Sequence, residues 1–214
     1  VYGILADLGV SSHQFDTADR GFSFRFDADL DMRMNQSGDI TAKDVLNTYT
    51  ADKLQDIFGF YGEVRNARTL ANAIVQARQV KKIERISEFL RLIEPYVKGK
   101  ENRYLSQVFQ ALRMEVNDEI GALKDLLIQA TEILKPGGRL VVLTYHSLED
   151  RLVKNWIKNG RFEDEPEKDE YGRFVCPLKA INKKPIVPSD DEIEINNRAR
   201  SAKLRIAEKL DIEI

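Results

Sequence analysis

The fold of this 214-residue chain follows from one segment near its start, Ile4-Leu5-Ala6-Asp7-Leu8-Gly9-Val10-Ser11-Ser12-His13-Gln14. An apolar run ends in a carboxylate, and a glycine and two small hydroxyl residues follow. This order is typical of a buried parallel strand that leads into a functional loop at its carboxyl end. Ligands of open α/β sheets bind outside such strand ends, so we expect Asp7 to meet a ligand there. A role for Asp7 in capping a turn is the alternative.

Two later segments also have the pattern of strands. Residues 139–146 form an apolar run directly after Lys135-Pro136-Gly137-Gly138, a combination that ends a helix. Residues 202–207 alternate polar and apolar side chains, as a half-buried strand does. Residues 3–8 and 139–146 predict the parallel sheet core of an α/β protein, and residues 202–207 predict a further strand.

The periodicity between these strands is helical. A capping box at Thr41–Asp44 begins the first of several short helices over about 40–98. Apolar residues at helical spacing continue over 105–134. Because no strand pattern interrupts the first of these regions, we predict that residues 39–99 form a helical insertion. Residues 1–38 and 100–214 would then form the core domain.

Weaker patterns follow the second strand. Residues 149–157 indicate a short helix, and the acidic segment 161–173, which contains glycine, indicates a loop. An edge strand is predicted within residues 180–188, because an edge position tolerates Pro185.

The composition excludes several classes of protein. The hydrophobic content of 43% allows a sizeable core, and the net charge of −2 gives no overall attraction to nucleic acid. Any RNA contact must therefore come from local basic patches. Cys176 is the single cysteine, so no internal disulfide can form, which is typical of a reducing compartment. No run approaches the roughly 20 apolar residues of a membrane-spanning helix.

Six motifs resemble those of the MraW/RsmH family of bacterial ribosomal RNA methyltransferases. In chain order, they are Asp7-Leu8-Gly9-Val10-Ser11-Ser12, Arg20-Gly21-Phe22-Ser23-Phe24, Leu30-Asp31-Met32-Arg33-Met34, Tyr61-Gly62-Glu63, His146-Ser147-Leu148-Glu149-Asp150-Arg151 and Asn197-Arg198-Ala199-Arg200-Ser201-Ala202-Lys203-Leu204-Arg205. The resemblance covers nearly the whole chain. It implies a class I, Rossmann-like methyltransferase core that uses S-adenosyl-L-methionine, with a helical insertion for substrate recognition.

The resemblance also implies an activity and a partner. The expected reaction is methylation of the N4 amino group of a cytosine in 16S ribosomal RNA. The expected partner is the RNA of the small ribosomal subunit, in the cytoplasm and away from membranes. The oligomeric state stays open, with a dimer among the alternatives.

Candidate catalytic residues follow from the chemistry of this reaction. Cytosine N4 is a poor nucleophile because its lone pair is delocalised into the ring. The enzyme must hold N4 in line with the sulfonium methyl group and accept an amino hydrogen as charge develops. A carboxylate and small hydroxyl groups at a strand end suit this task, so Asp7, Ser11 and Ser12 are the candidates. The resemblance assigns cofactor binding to Asp7 and Gln14.

Basic side chains near aromatic residues suit phosphate contacts and base stacking. The candidate RNA contacts are Arg20, Arg33, His146, Arg198, Arg200 and Lys203. A solvated charged surface is the alternative for the arginines and the lysine. For His146 the alternative is a hydrogen bond that orders the following turn. Neither His13 nor His146 has cysteine or histidine neighbours at metal spacing, so we expect no metal site.

Two other functions compete with this prediction. The first is a non-catalytic module that binds ribosomal RNA, and the second is an amino-methyltransferase that acts on another base or on DNA. The first is motivated by the start of the chain, which opens on a strand and contains no glycine-rich cofactor loop. The resemblance places that loop upstream of Val1. We therefore expect residues 1–214 alone to bind S-adenosyl-L-methionine weakly and to be inactive.

Overall fold

The computed structural model describes residues 1–163 and 176–211. Within it, the chain forms two compact units. The sheet unit consists of Val1–Gly9 and Ile120–Ile214, and the helical unit consists of Val10–Glu119. None of the helices in the described segments combines the length and the apolar character that a membrane crossing requires.

The boundaries of these units differ from those of the predicted domains. The helical unit contains residues 10–38 and 100–119 in addition to the predicted insertion at 39–99. The long helix in the second of these segments packs with the short ones, which explains the larger unit. The assignment of the domains to cofactor binding and substrate recognition stays a prediction.

The helical unit contains six α-helices, as the periodicity predicted for most of its length. They are α1 (Ser12–Asp16), α2 (Ala42–Thr48), α3 (Ala51–Phe60), α4 (Ala67–Val80), α5 (Ile86–Ile93) and α6 (Glu101–Val116). The predicted capping box begins α2, because Asp44 N donates to Thr41 Oγ1 (3.3 Å) and Thr41 N donates to Asp44 Oδ2 (2.9 Å). The prediction of several short helices over about 40–98 is confirmed.

Apolar stripes hold the helical unit together. On α6, Leu105, Val108 and Leu112 recur at helical spacing and are all buried. They pack in one core with Phe58 of α3 and Phe89 of α5. Burial of such faces supplies most of the stability of helices this short.

The described residues of the sheet unit form a four-stranded sheet in the order β1-β2-β4-β3. The strands are β1 (Gly3–Asp7), β2 (Arg139–Thr144), β3 (Leu178–Ala180) and β4 (Lys203–Lys209). β1 and β2 are parallel, whereas β4 is antiparallel to both β2 and β3. The α/β class is confirmed, as are the two predicted parallel core strands and the further strand, with slightly different bounds.

From Glu119 onwards, the described residues contain three α-helices. They are α7 (Glu119–Ile133), α8 (Ser147–Asn159) and α9 (Asp190–Ile195). Leu127 of α7 and Val153 of α8 share a core with Leu140 and Val142 of β2. The turn before β2 contains Gly137, whose positive φ of 77° ends the preceding helical segment without steric strain.

β1 is less buried than the central strand of a parallel sheet. Leu5, in the middle of this strand, is 73% exposed, and its neighbours Ile4 and Ala6 are only partly buried. The physical reason is position: β1 lies at the edge of the sheet and pairs with β2 alone. An apolar run indicates that a strand prefers to be buried, but it does not require a neighbouring strand on each side.

The edge strand begins earlier in the chain than predicted. β3 ends at Ala180, which pairs with Ala207 of β4, and Ile186 of the predicted segment forms an isolated bridge with Leu204. Between them, the side chain of Asn182 bonds to β4, where it accepts from Ile206 N (2.8 Å) and donates to Leu204 O (3.1 Å). Ile181 N also donates to Ile206 O (2.9 Å), so backbone and side chain together continue the contact with β4. Most of the predicted loop at 161–173 lies outside the described residues.

Candidate functional site at the strand ends

The carboxyl ends of β1 and β2 meet at one edge of the sheet because the two strands are parallel. Asp7 is the last residue of β1, and Tyr145 and His146 follow β2. β4 runs the other way, so it begins at this edge, with Lys203 opposite the last residue of β2. The 3₁₀ helix at 197–201 directly precedes it. We call these residues the strand-end site.

Asp7 is held by a residue that the sequence did not single out. The Tyr145 hydroxyl donates a hydrogen bond of 2.8 Å to Asp7 Oδ1. Burial raises the pKa of Tyr145 to about 12, helped by the hydrogen bond to Asp7 and by the negative charges of Asp7 and Glu149. The phenol therefore stays protonated at neutral pH and keeps its role as donor. The only feature of the sequence that could have pointed to Tyr145 is its place as an aromatic residue at the end of a predicted strand.

The start of α8 fixes the backbone beside Tyr145. The His146 side chain caps this helix, because Nδ1 accepts from Glu149 N at 3.4 Å. Its Nε2 lies 3.0 Å from Glu149 Oε1, without the alignment of a hydrogen bond. Glu149 Oε2 accepts from Tyr145 N (3.0 Å). This geometry matches the turn-ordering alternative for His146, and its contact with RNA stays a prediction.

Asp150 joins α8 to β4. Its carboxylate accepts two hydrogen bonds from Arg205, of 2.7 and 3.1 Å, and lies 3.4 Å from Lys203 Nζ. Burial would raise the pKa of Asp150, but the hydrogen bonds and charges of Arg205 and Lys203 outweigh it and hold the pKa below the usual value. Lys203, a predicted RNA contact, thus has an acidic partner. Its pairing with RNA stays a prediction.

Two of the predicted RNA contacts are exposed at this edge. Arg198 and Arg200 lie in the 3₁₀ helix at 197–201, where Ala199 between them is buried. This alternation places both arginines at the surface of the strand-end site, where solvent reaches their side chains.

Ser11 and Gln14 form a capping box at the start of α1, in the helical unit. Gln14 N donates to Ser11 Oγ (3.3 Å), and Ser11 N donates to Gln14 Oε1 (2.9 Å). Ser12 is the first residue of the helix and is exposed. The box occupies the Gln14 oxygen and leaves its Nε2 group without a partner among the described residues. The catalytic and cofactor roles of these three residues stay predictions.

Arg20 and Arg33 serve the internal structure of the helical unit. Arg20 Nη2 donates to the carbonyl oxygens of Arg33 (2.7 Å) and Met34 (3.1 Å). Arg33 forms a bidentate pair with Asp31, at 2.7 and 2.8 Å. Its Nη1 also donates to two backbone carbonyls, at 2.9 and 2.8 Å. These bonds use most donors of Arg33 and the Nη2 group of Arg20, so the predicted contact of both residues with RNA gains no support from the geometry.

Comparison with known proteins gives a consistent result. The family model described as the MraW methylase family matches residues 1–210. Ribosomal RNA small subunit methyltransferase H of Parabacteroides distasonis is 59% identical over 98% of this chain and 69% of its own length. The proteins of the same name from Flavobacterium johnsoniae and Cytophaga hutchinsonii are 57% and 56% identical, each over 98% of this chain and 70% of their own length.

The sheet and its flanking helices agree with the Rossmann-like methyltransferase fold that the motifs implied. Matches of this extent and identity establish the family without reference to any single residue. The chain belongs to the MraW methylase family.

Proposed function

We propose that this protein transfers a methyl group from S-adenosyl-L-methionine to N4 of a cytosine in 16S ribosomal RNA. The relatives named ribosomal RNA small subunit methyltransferase H support the substrate class. The observation that carries the proposal is the carboxylate of Asp7, which is exposed at the carboxyl end of a parallel strand. Ligands of α/β sheets bind at such ends.

The chemistry of Asp7 fits the cofactor. Oδ1 accepts from Tyr145, and Oδ2 has no donor among the described residues. A carboxylate oxygen in this state can accept from a hydroxyl or ammonium group, both of which S-adenosyl-L-methionine carries. Gln14 would contribute its Nε2 donor. When bound, the cofactor supplies an electrophilic methyl group.

The residues of this chain would then hold the reactants and accept charge. Asp7 orients the cofactor, and an acceptor near the amino group stabilises the positive charge that develops on N4. Asp7, Ser11 and Ser12 remain the candidate acceptors. Ser12 is exposed, whereas the Ser11 hydroxyl would have to leave its capping bond.

Arg198 and Arg200 are the proposed phosphate contacts, because they are exposed at the same sheet edge as Asp7. Guanidinium groups bind phosphate oxygens through paired donors. The helices at 39–99 are the proposed substrate-recognition domain. The reaction would take place in the cytoplasm, where small ribosomal subunits occur.

A methyl-transfer assay tests this function. The protein is produced together with the upstream cofactor-loop segment that the resemblance implies. It is incubated with labelled S-adenosyl-L-methionine and small ribosomal subunits, and the RNA is digested and analysed by mass spectrometry. We expect N4-methylcytosine in 16S RNA. Label on an adenine amino group or on DNA would favour the amino-methyltransferase alternative, and RNA binding without transfer would favour the non-catalytic module.

A further inference from the structure

We propose that Tyr145 is a positioning residue for Asp7: its hydroxyl holds one carboxylate oxygen so that the other is available to the cofactor. The inference rests on the proposed function, because it takes Asp7 as a cofactor contact. Tyr145 is not among the site residues that were predicted from the sequence. The contact that carries it is the 2.8 Å hydrogen bond from Tyr145 to Asp7 Oδ1.

Asp7 needs such a partner because its side chain is exposed. A free aspartate at a strand end populates several rotamers and must be ordered when a ligand binds. The hydrogen bond to the carboxylate is charge-assisted and therefore stronger than a bond between neutral groups. It fixes Oδ1 and leaves Oδ2 on the opposite side of the carboxyl group.

Tyr145 can supply this order because its own backbone is fixed. Its N–H group donates to the buried carboxylate of Glu149, whose backbone is in turn bonded to the capping side chain of His146. On its other side, the ring lies beside the turn at Gly9, where an added Cβ atom would lie 4.0 Å from Cδ2 of Tyr145. The phenol thus connects the end of β2 to the end of β1.

The phenol is also in the correct protonation state. Burial, the bond to Asp7 and the nearby acidic groups raise its pKa, so ionisation does not remove the donor in the neutral range. A phenolate would repel the carboxylate instead of holding it.

A double-mutant cycle tests the inference. Tyr145→Phe removes the hydroxyl and retains the ring, and Asp7→Asn removes the charge. The two single variants and the double variant are made in the protein that includes the upstream cofactor-loop segment implied by the resemblance. Affinity for S-adenosyl-L-methionine is measured by calorimetry. We expect Tyr145→Phe to weaken binding about 3- to 10-fold, the cost of ordering a side chain on binding. In the Asp7→Asn background the same change should have little further effect.

Kinetics provide a second readout. A positioning role in cofactor binding should raise the KM for S-adenosyl-L-methionine and change kcat by less than about twofold. Tyr145→Leu, which also lacks the hydroxyl, should reproduce the loss of affinity. The matched control is Tyr104→Phe, which removes a buried hydroxyl in the helical unit and should leave cofactor affinity unchanged.

The outcomes separate this inference from the proposed function. If Asp7→Asn weakens binding and Tyr145→Phe does not, the role of Tyr145 is refuted and the cofactor contact of Asp7 stands. If Tyr145→Phe has the same effect in both backgrounds, Tyr145 does not act through Asp7, and the inference fails. If Asp7→Asn has no effect, the cofactor contact itself is wrong, and the inference fails with it.

Discussion

Asp7 combines two properties that a structural carboxylate rarely shows together. It lies at the end of a strand, where backbone groups leave the hydrogen-bond ladder, and it is exposed although it accepts a bond from Tyr145. Aspartates with a purely structural role satisfy backbone donors of a turn or helix, as Asp44 does for Thr41. Asp7 accepts no such bond among the described residues, so its position favours a ligand contact.

In the protein that includes the upstream cofactor-loop segment, we expect Asp7→Ala to weaken S-adenosyl-L-methionine binding about 10- to 100-fold, because one charge-assisted hydrogen bond contributes about 1.5–3 kcal/mol. Calorimetry measures this change directly. Asp125→Ala provides the control, since Asp125 is an exposed aspartate on α7 in the same unit. Equal affinity of the Asp7 variant and the unsubstituted protein would exclude Asp7 from the cofactor site.

Among the elements of the sheet unit, α8 and β4 are joined by the Asp150–Arg205 pair. Both side chains are about nine-tenths buried, and the pair has bidentate geometry. A buried pair of this kind contributes little net stability while intact, but the loss of one partner leaves a buried charge uncompensated. The pair therefore fixes the relative position of two elements at the strand-end site.

We expect Asp150→Ala to lower the free energy of unfolding by about 3–5 kcal/mol, because Arg205 would remain buried without its partner. The pKa of Asp150 is held below its usual 3.8 in the folded state, so its contribution is present above that pH and is lost as the pH falls through the lowered pKa. Urea unfolding at neutral and acidic pH measures both effects. Replacing both residues, as Asp150→Ala with Arg205→Met, should restore part of the stability; a single-variant effect below about 1 kcal/mol would contradict the prediction.

The end of α3 approaches α6 closely at Gly62. A Cβ atom added there would lie 2.6 Å from the Gln107 carbonyl oxygen and 2.9 Å from that of Phe58. We expect Gly62→Ala to destabilise the protein by about 1–3 kcal/mol, because backbone atoms must move apart. Gly59→Ala is the matched substitution within α3, where the added atom would lie 3.7 Å from Ala67 Cβ, at ordinary van der Waals distance. It should stabilise by about 0.5–1 kcal/mol. Thermal unfolding of both variants should shift in opposite directions, and shifts of the same sign would contradict this explanation.

Across the whole chain, RNA binding has to overcome a slightly negative net charge. The sum of −2 gives no long-range attraction to a phosphate backbone, so local groups must provide it. Arg198 and Arg200 are exposed, whereas Lys203 and Arg205 bind Asp150. The predicted basic run is therefore divided between the surface and the internal structure.

We expect Arg198→Ala with Arg200→Ala to lower the affinity for small-subunit RNA and to reduce its salt dependence. Each phosphate that the variant no longer neutralises should lower the slope of log K against log salt by about 0.7–0.9. Binding titrations over a range of salt concentrations measure the slope. The control Lys154→Ala with Lys158→Ala removes the same charge from exposed positions on α8. An unchanged slope in the arginine variant would show that these side chains do not bind RNA phosphates.

Local structure and family membership could be predicted from contiguous sequence. Capping side chains, glycines at helix ends and apolar spacing act over a few residues, so Thr41–Asp44, the stop before β2 and the stripe on α6 follow from near neighbours in the chain. The motifs identified the family for the same reason, because they are contiguous. Asp7 was found as a candidate because a strand and its end are read from one segment.

The availability of each side chain, in contrast, depends on the tertiary structure. Tyr145 and Asp7 are 138 positions apart, and Asp150 and Arg205 are 55 apart, so neither pair leaves a local signal. The exposure of Leu5 depends on the place of β1 in the sheet, and the apolar run is the same at an edge or in the centre. In the sequence, Arg20 and Lys203 have no visible acceptors, and the folded chain supplies them. The free energy of a charged side chain depends on its partners and on its burial. Contacts between residues that are distant in the sequence determine both.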